Sequence, residues 1–75
     1  MDITVDLSAR SSRIQKISYR EADAALAIQF KTAEGMVAFS GVPKKVFEDF
    51  LGAGSPGRFY DDHVKETYVK AENLF

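Results

Sequence analysis

"QKISYREADAALAIQFKTAEGMVAFS", Gln15 to Ser40, places apolar residues at every second position in three successive segments, and that period decides the fold. Ile17 and Tyr19 share one face of "QKISY". Leu26, Ile28 and Phe30 share one face of "ALAIQFK", opposed by Ala27, Gln29 and Lys31. Val37 and Phe39 do the same in "MVAFS", with Ala38 and Ser40 opposite. A period of two sends alternate side chains to opposite sides of a strand, so each segment reads as half-buried β structure. A turn centred on Ala22-Asp23 sets Tyr19 against Leu26 and Ile17 against Ile28. A four-residue hairpin loop at "TAEG", Thr32 to Gly35, sets Phe30 against Val37 and Ile28 against Phe39. All of these apolar residues then lie on one face, an agreement that a one-residue slip would destroy. The expectation is a three-stranded antiparallel meander.

Beyond Ser40 the period lengthens. In "GVPKKVFEDFLGAG", Val46, Phe47, Phe50 and Leu51 form one helical stripe. Pro43 suits the first turn, where its missing N–H costs nothing, and Gly52 and Gly54 supply the stop. After "SP", Tyr60, Val64 and Tyr68 recur at spacing four on a second helix. Asp61 is its predicted N-cap, because a short carboxylate accepts the free backbone N–H groups, and Asp62 adds favourable charge beside it. The predicted class is α+β, in the order β-β-β-α-α, with both helices on the apolar face of the sheet. The other face, with Lys16, Ser18, Ala27, Gln29, Lys31, Ala38 and Ser40, is small and polar and open to water or a partner. Residues 1–10 are weakly patterned and read as an N-terminal arm or edge strand, 11–70 as the domain and 71–75 as a tail. No repeat or low-complexity tract interrupts them.

A chain of 75 residues makes one domain. At this length folding buries only about 60% of the surface the unfolded chain exposes, so nearly every large apolar residue is needed for the core. The hydrophobic share of 45% and charged share of 28% are those of a globular protein. The absence of cysteine removes disulfides, thiolate metal sites and a Cys nucleophile, and fits a cytoplasmic setting. "MDITVDLSAR" has neither a basic n-region nor an apolar run, so no secretory signal is expected, and no window approaches a membrane span. Ten Lys and Arg face eleven Asp and Glu, a formal net charge of −1. That balance argues against strong non-specific nucleic-acid binding, which requires several phosphates to be neutralised together, but leaves room for a local basic patch.

The residues capable of chemistry do not assemble into a catalytic set. His63 is the lone histidine, and Asp61, Asp62 and His63 point roughly 100° apart on a helix, so no metal site is expected. Ser11 and Ser12 lack an adjacent base and an orienting third group; their hydroxyls read as bridges across the turn before the first strand. The pairs Asp61-Asp62 and Glu48-Asp49 read as a cap and a solvated face. Tyr60 and Tyr68 read as core. Lys44 and Lys45 stand at the unfavourable end of the first helix for cations, either facing a phosphate or lying as a snorkelling surface pair. Arg13, Arg58 and Lys65 form a basic cluster if the Ser-Ser-Arg entry packs near the second helix.

Four short motifs in order resemble the KTSC domain family, from Ser11 to about Tyr68. The first is Ser11-Ser12-Arg13-Ile14, for Ser-Ser-x-Ile. Tyr19 follows in a strand, then Val42-Pro43 before Phe47. The last runs through Ser55, Gly57, Phe59, Tyr60, Asp61, Val64, Lys65 and Tyr68. The sequence departs from the family where Val37 and Phe39 replace a Tyr-x-Tyr in the third strand, and where Asp61 replaces Asn. Both replacements on the strand keep bulk and lose a hydroxyl. The family occurs alone in bacterial and phage proteins and at the C-terminus of some lysyl-tRNA synthetases. The resemblance implies a small non-enzymatic accessory domain without metal or cofactor, and attachment to a tRNA-charging enzyme implies RNA binding. The candidate binding residues are Arg13, Arg58, Lys65, Ser11 and Ser12. Ile14, Tyr19, Phe39, Val42, Pro43, Phe47, Ser55, Gly57, Tyr60, Asp61, Val64 and Tyr68 are expected to be structural. The alternative is a protein-interaction or structural module, using the small-residue sheet face or an edge strand to meet a partner or a second copy.

Overall fold

The computed structural model describes residues 2–32 and 35–70. Its sheet has five strands, β1 (Asp2–Asp6), β2 (Ile14–Arg20), β3 (Ala25–Phe30), β4 (Met36–Ser40) and β5 (Val69–Lys70). They lie side by side in chain order, each antiparallel to the next. Between β4 and β5 come α1 (Lys44–Gly52) and α2 (Pro56–Phe59), and α2 runs on into a π turn, Tyr60–Val64. The three-stranded β-β-β-α-α expectation is therefore corrected to five strands in the order β-β-β-β-α-α-β.

The two added strands are the edges. In β1, Ile3 pairs with Tyr19 and Val5 with Ile17, which puts both apolar residues on the core face. Leu7 continues the alternation, is fully buried, and donates its N–H to Gln15 O at 3.0 Å. On the opposite face Thr4 and Ser18 share a hydrogen bond of 3.0 Å. β5 pairs only Val69 with Ser40 and Lys70 with Phe39, too short a run to have a period. The expected tail, residues 71–75, lies outside the described residues.

β2 and β3 pair in the expected register, Tyr19 with Leu26 and Ile17 with Ile28. Their turn is a 3-10 segment, Glu21–Asp23, closed by Ala24 in the left-handed region at φ 51°. The β3–β4 register is corrected by two residues: Ile28 faces Val37, and Leu26 faces Phe39. The longer connection is closed by Phe30 N–H donating to Gly35 O at 2.8 Å, with Gly35 at φ 70°. Ala33 and Glu34, within the predicted "TAEG" loop, lie outside the described residues. A shift of two keeps every side chain on its face, so the apolar grouping survives a wrong register. Between Ile14 and Lys16 the β2–β3 pairing has a bulge. It lets Ile14 and Ile17, three apart, both enter the core fully buried.

The helical segments close the apolar face. Phe47 of α1 stacks on Tyr19 at 5.2 Å, and Tyr60 meets Phe30 edge-on at 5.1 Å. Phe50 and Phe59 join α1 to α2 at 5.0 Å. The Tyr19 hydroxyl donates to Val42 O at 2.7 Å, so the buried phenol has its partner. Pro43 is the extended N-cap residue rather than part of the first turn of α1. Gly52 is the last residue of α1, and Ala53, in extended conformation, ends it. Lys44 at its start is matched by Glu21 at 2.6 Å, and Lys45 pairs with Asp49 at 3.7 Å, which offsets their unfavourable position.

Candidate functional site

The second helix begins five residues before its predicted cap. Ser55 is the N-cap and Pro56 the first helical residue, a position where a missing N–H is harmless. Asp61 is consequently inside the helical run, not at its start. The chain widens there: Lys65 N–H donates to Tyr60 O at 2.9 Å, a bond to the fifth residue back, as in a π turn. Tyr60 and Val64 stay buried. Tyr68 falls beyond the helix and packs half-buried against the core.

Freed from capping, the Asp61 carboxylate accepts a hydrogen bond from Arg13 Nη1 at 2.8 Å. That bond is the main cause holding its pKa below the ordinary aspartate value of 3.8. The Arg13 guanidinium also lies 5.5 Å from the Phe30 ring centre and 5.7 Å from that of Tyr60. Two aromatic rings and a carboxylate therefore fix one arginine. Gly57 leaves room for its stem: a Cβ there would stand 3.5 Å from Arg13 Cδ.

The loop that carries Arg13 is equally well held. Ser11 Oγ accepts the N–H of Arg13 at 3.2 Å and of Ile14 at 3.0 Å, bridging the turn before β2. Lys31 Nζ donates to Ser8 O at 2.8 Å and to Ser11 O at 2.7 Å. Lys31 is thus a brace for this loop rather than part of the open sheet face. Arg10 Nη2 donates to Ala53 O at 3.0 Å and ties the loop to the end of α1.

Together these contacts enclose a cleft of about 310 Å³ between the Arg10–Arg13 loop and the Gly54–Arg58 turn, with Asp61 on its wall. Arg13 and Arg58, Ser11 and Ser12 all line it. Lys65 does not line it, and Arg10, which the sequence reading passed over, does. Ser55 and Gly57, expected to be structural, also reach its wall. Arg58 pairs with Asp62 at 3.4 Å, but its side chain is 83% exposed, so the pair is weak. His63 is exposed and rests on the Phe59 ring at 4.8 Å. Neither serine hydroxyl bonds to it, and no group of three or more His, Cys, Asp or Glu among the described residues could hold a metal ion. No helix among them is long and apolar enough to cross a membrane.

The model of the KTSC domain matches residues 10–68, which spans the cleft-forming loop, strands β2 to β4 and both helices. The chain belongs to the KTSC domain family. A KTSC domain protein of Yersinia pestis, known from its crystal structure, is similar over 95% of this chain and 96% of its own, with 32% identity and a TM-score of 0.84. No curated protein matches the chain. The family places it among small domains of unassigned function, and the cleft joins the opening and closing motifs of the family pattern: Ser11-Ser12-Arg13 on one wall, Ser55 and Gly57 on the other.

Proposed function

We propose that this KTSC domain is a non-enzymatic accessory module that binds RNA through the Arg10–Arg13 and Gly54–Arg58 cleft. One observation carries the reading: residues far apart in sequence bring three guanidiniums, Arg10, Arg13 and Arg58, to one concave surface of a chain whose formal charge is −1. A local basic locus on a nearly neutral protein supports a specific anion contact rather than general attraction to nucleic acid. The occurrence of the family at the end of lysyl-tRNA synthetases points the same way. The absence of cysteine supports a cytoplasmic setting.

The test is binding of single-stranded RNA and tRNA at several salt concentrations. Neutralising two to three phosphate charges gives a slope of log K against log salt of roughly −1.5 to −2 on a single strand. The double variant Arg10→Gln, Arg58→Gln abolishes binding while its urea unfolding midpoint stays close to that of the parent. RNA binding that survives both substitutions overturns the reading.

A second reading has its own observation. Met36 and Val69, 52% and 73% exposed, project from the sheet face opposite the helices, beside Ala38 and Ser40. That face suits a protein partner or a second copy. Light scattering at high concentration tests the second copy, and a strict monomer removes it.

A further inference from the structure

We infer that the ligand group taken by the cleft is a terminal phosphate, a phosphomonoester such as the 5′ end of an RNA, rather than the internal phosphodiester backbone. This rests on the reading of the cleft as the binding site.

Three features carry it. The first is hydrogen-bond polarity. Ser11 Oγ already accepts two backbone N–H groups, so what its hydroxyl has left to offer is a proton. Guanidiniums only donate. The one carboxylate on the wall, Asp61, is already engaged by Arg13. The cleft therefore presents donors and asks for a group rich in acceptors, and a phosphate meets that demand through charge-assisted and bidentate bonds.

The second feature is size. A volume near 310 Å³ sits at the small end of the range for ligand clefts, about 300–1,000 Å³. It suits one nucleotide rather than a run of them.

The third feature is the lack of a track. A protein that follows a nucleic-acid backbone spaces its cations along a groove. Here three cations away from the cleft have acidic partners of their own: Arg20 with Asp23 at 2.9 Å, Lys44 with Glu21 at 2.6 Å and Lys45 with Asp49 at 3.7 Å. Lys31 serves two carbonyls, and Lys16 stands opposite Asp6 in the sheet. With Lys65 and Lys70 as exposed exceptions, the cleft is a compact basic locus, better suited to the doubly charged end of a strand than to its singly charged interior.

The experiment compares one short single-stranded RNA in 5′-phosphorylated and 5′-hydroxyl forms, labelled at the other end and followed by fluorescence anisotropy with the full chain. Adenosine 5′-monophosphate and inorganic phosphate serve as competitors, and adenosine 5′-monophosphate is also titrated directly by calorimetry. The phosphorylated RNA is expected to bind at least about tenfold tighter, the scale of one hydrogen bond to a charged group. Arg58→Gln removes that preference, and Lys65→Gln, outside the cleft, keeps it. Equal affinity for the two RNAs, with binding still lost in the Arg10→Gln, Arg58→Gln variant, overturns the inference and leaves the RNA reading in place. Binding of adenosine 5′-monophosphate at the cleft with neither RNA bound upholds the phosphomonoester and overturns the RNA reading. Failure of every probe to bind overturns both.

Discussion

The Tyr19 hydroxyl sits in a core whose other side chains, Tyr60 apart, are apolar, and it donates to Val42 O at 2.7 Å. Burial, more than any neighbouring charge, raises its pKa above the usual 10.0. The bond does two things at once: it satisfies a phenol that burial has cut off from water, and it pins the residue before Pro43, where the chain turns into α1. Tyr19→Phe keeps the stacking on Phe47 and leaves the Val42 carbonyl without that donor. We expect a loss of about 1–3 kcal/mol in urea unfolding, the usual range for a buried polar group deprived of its partner. A loss below about 0.5 kcal/mol, the scale of an ordinary surface substitution, would show that water or another donor takes over. At the cleft, Gly57 makes the sharper case. A Cβ at 3.5 Å from Arg13 Cδ is an ordinary contact, so Gly57→Ala is accepted and stabilises by about 0.4–1 kcal/mol through the unfolded chain. Gly57→Leu reaches further, displaces Arg13 from the Phe30 and Tyr60 rings, and weakens phosphate binding. Equal binding by the Ala and Leu variants would disconnect Arg13 from the site.

At the scale of elements, what the sequence revealed and what it hid have separate physical causes. The central strands were legible because one apolar face is shared by Ile17, Tyr19, Leu26, Ile28, Phe30 and Phe39, all of them buried. Loop length was not legible from the same pattern, since a two-residue shift of β4 leaves the faces unchanged. β1 had a signal that left two readings open, arm or edge strand: Ile3, Val5 and Leu7 alternate with Thr4 and Asp6, and all three pack into or against the core. β5 had none, being two exposed residues defined only by their pairing with β4. In the second helix, Asp61 looked like a cap because short acids usually are; its partner Arg13 is distant in sequence, so only the fold brings the two together. The cleft was half legible for the same reason. Arg13, Arg58 and the serines stood out by motif and charge, whereas Arg10 gained its place only from the closure of the loop onto Ala53 O.

Across the molecule, several exposed carboxylates are each held by a nearby donor. Lys44 lowers the pKa of Glu21 from 4.5, Arg20 that of Asp23 and Arg13 that of Asp61 from 3.8, chiefly through hydrogen bonds, and a hydrogen bond with Ser8 does the same for Asp6. A depressed pKa in the folded state adds stability above the unfolded value, and that stability is lost as pH falls through the folded value. The urea midpoint should therefore be level from neutrality to about pH 5 and then decline, more gently in Asp61→Asn. A midpoint that rises on acidification below pH 4 would contradict this account of the charges. Arg10, Arg13 and Arg58 gather at one cleft with a single carboxylate, Asp61, on its wall, and that gathering is the basis of the proposed phosphate contact. The most direct test is amide chemical-shift mapping of the full chain titrated with 5′-phosphorylated single-stranded RNA. Shifts are expected at Arg10 to Arg13, Gly54 to Arg58 and Asp61, weakening as salt is raised. Shifts centred instead on Lys16, Ser18 and Ala38 of the open sheet face, or no response at low salt, would overturn the cleft as the binding site.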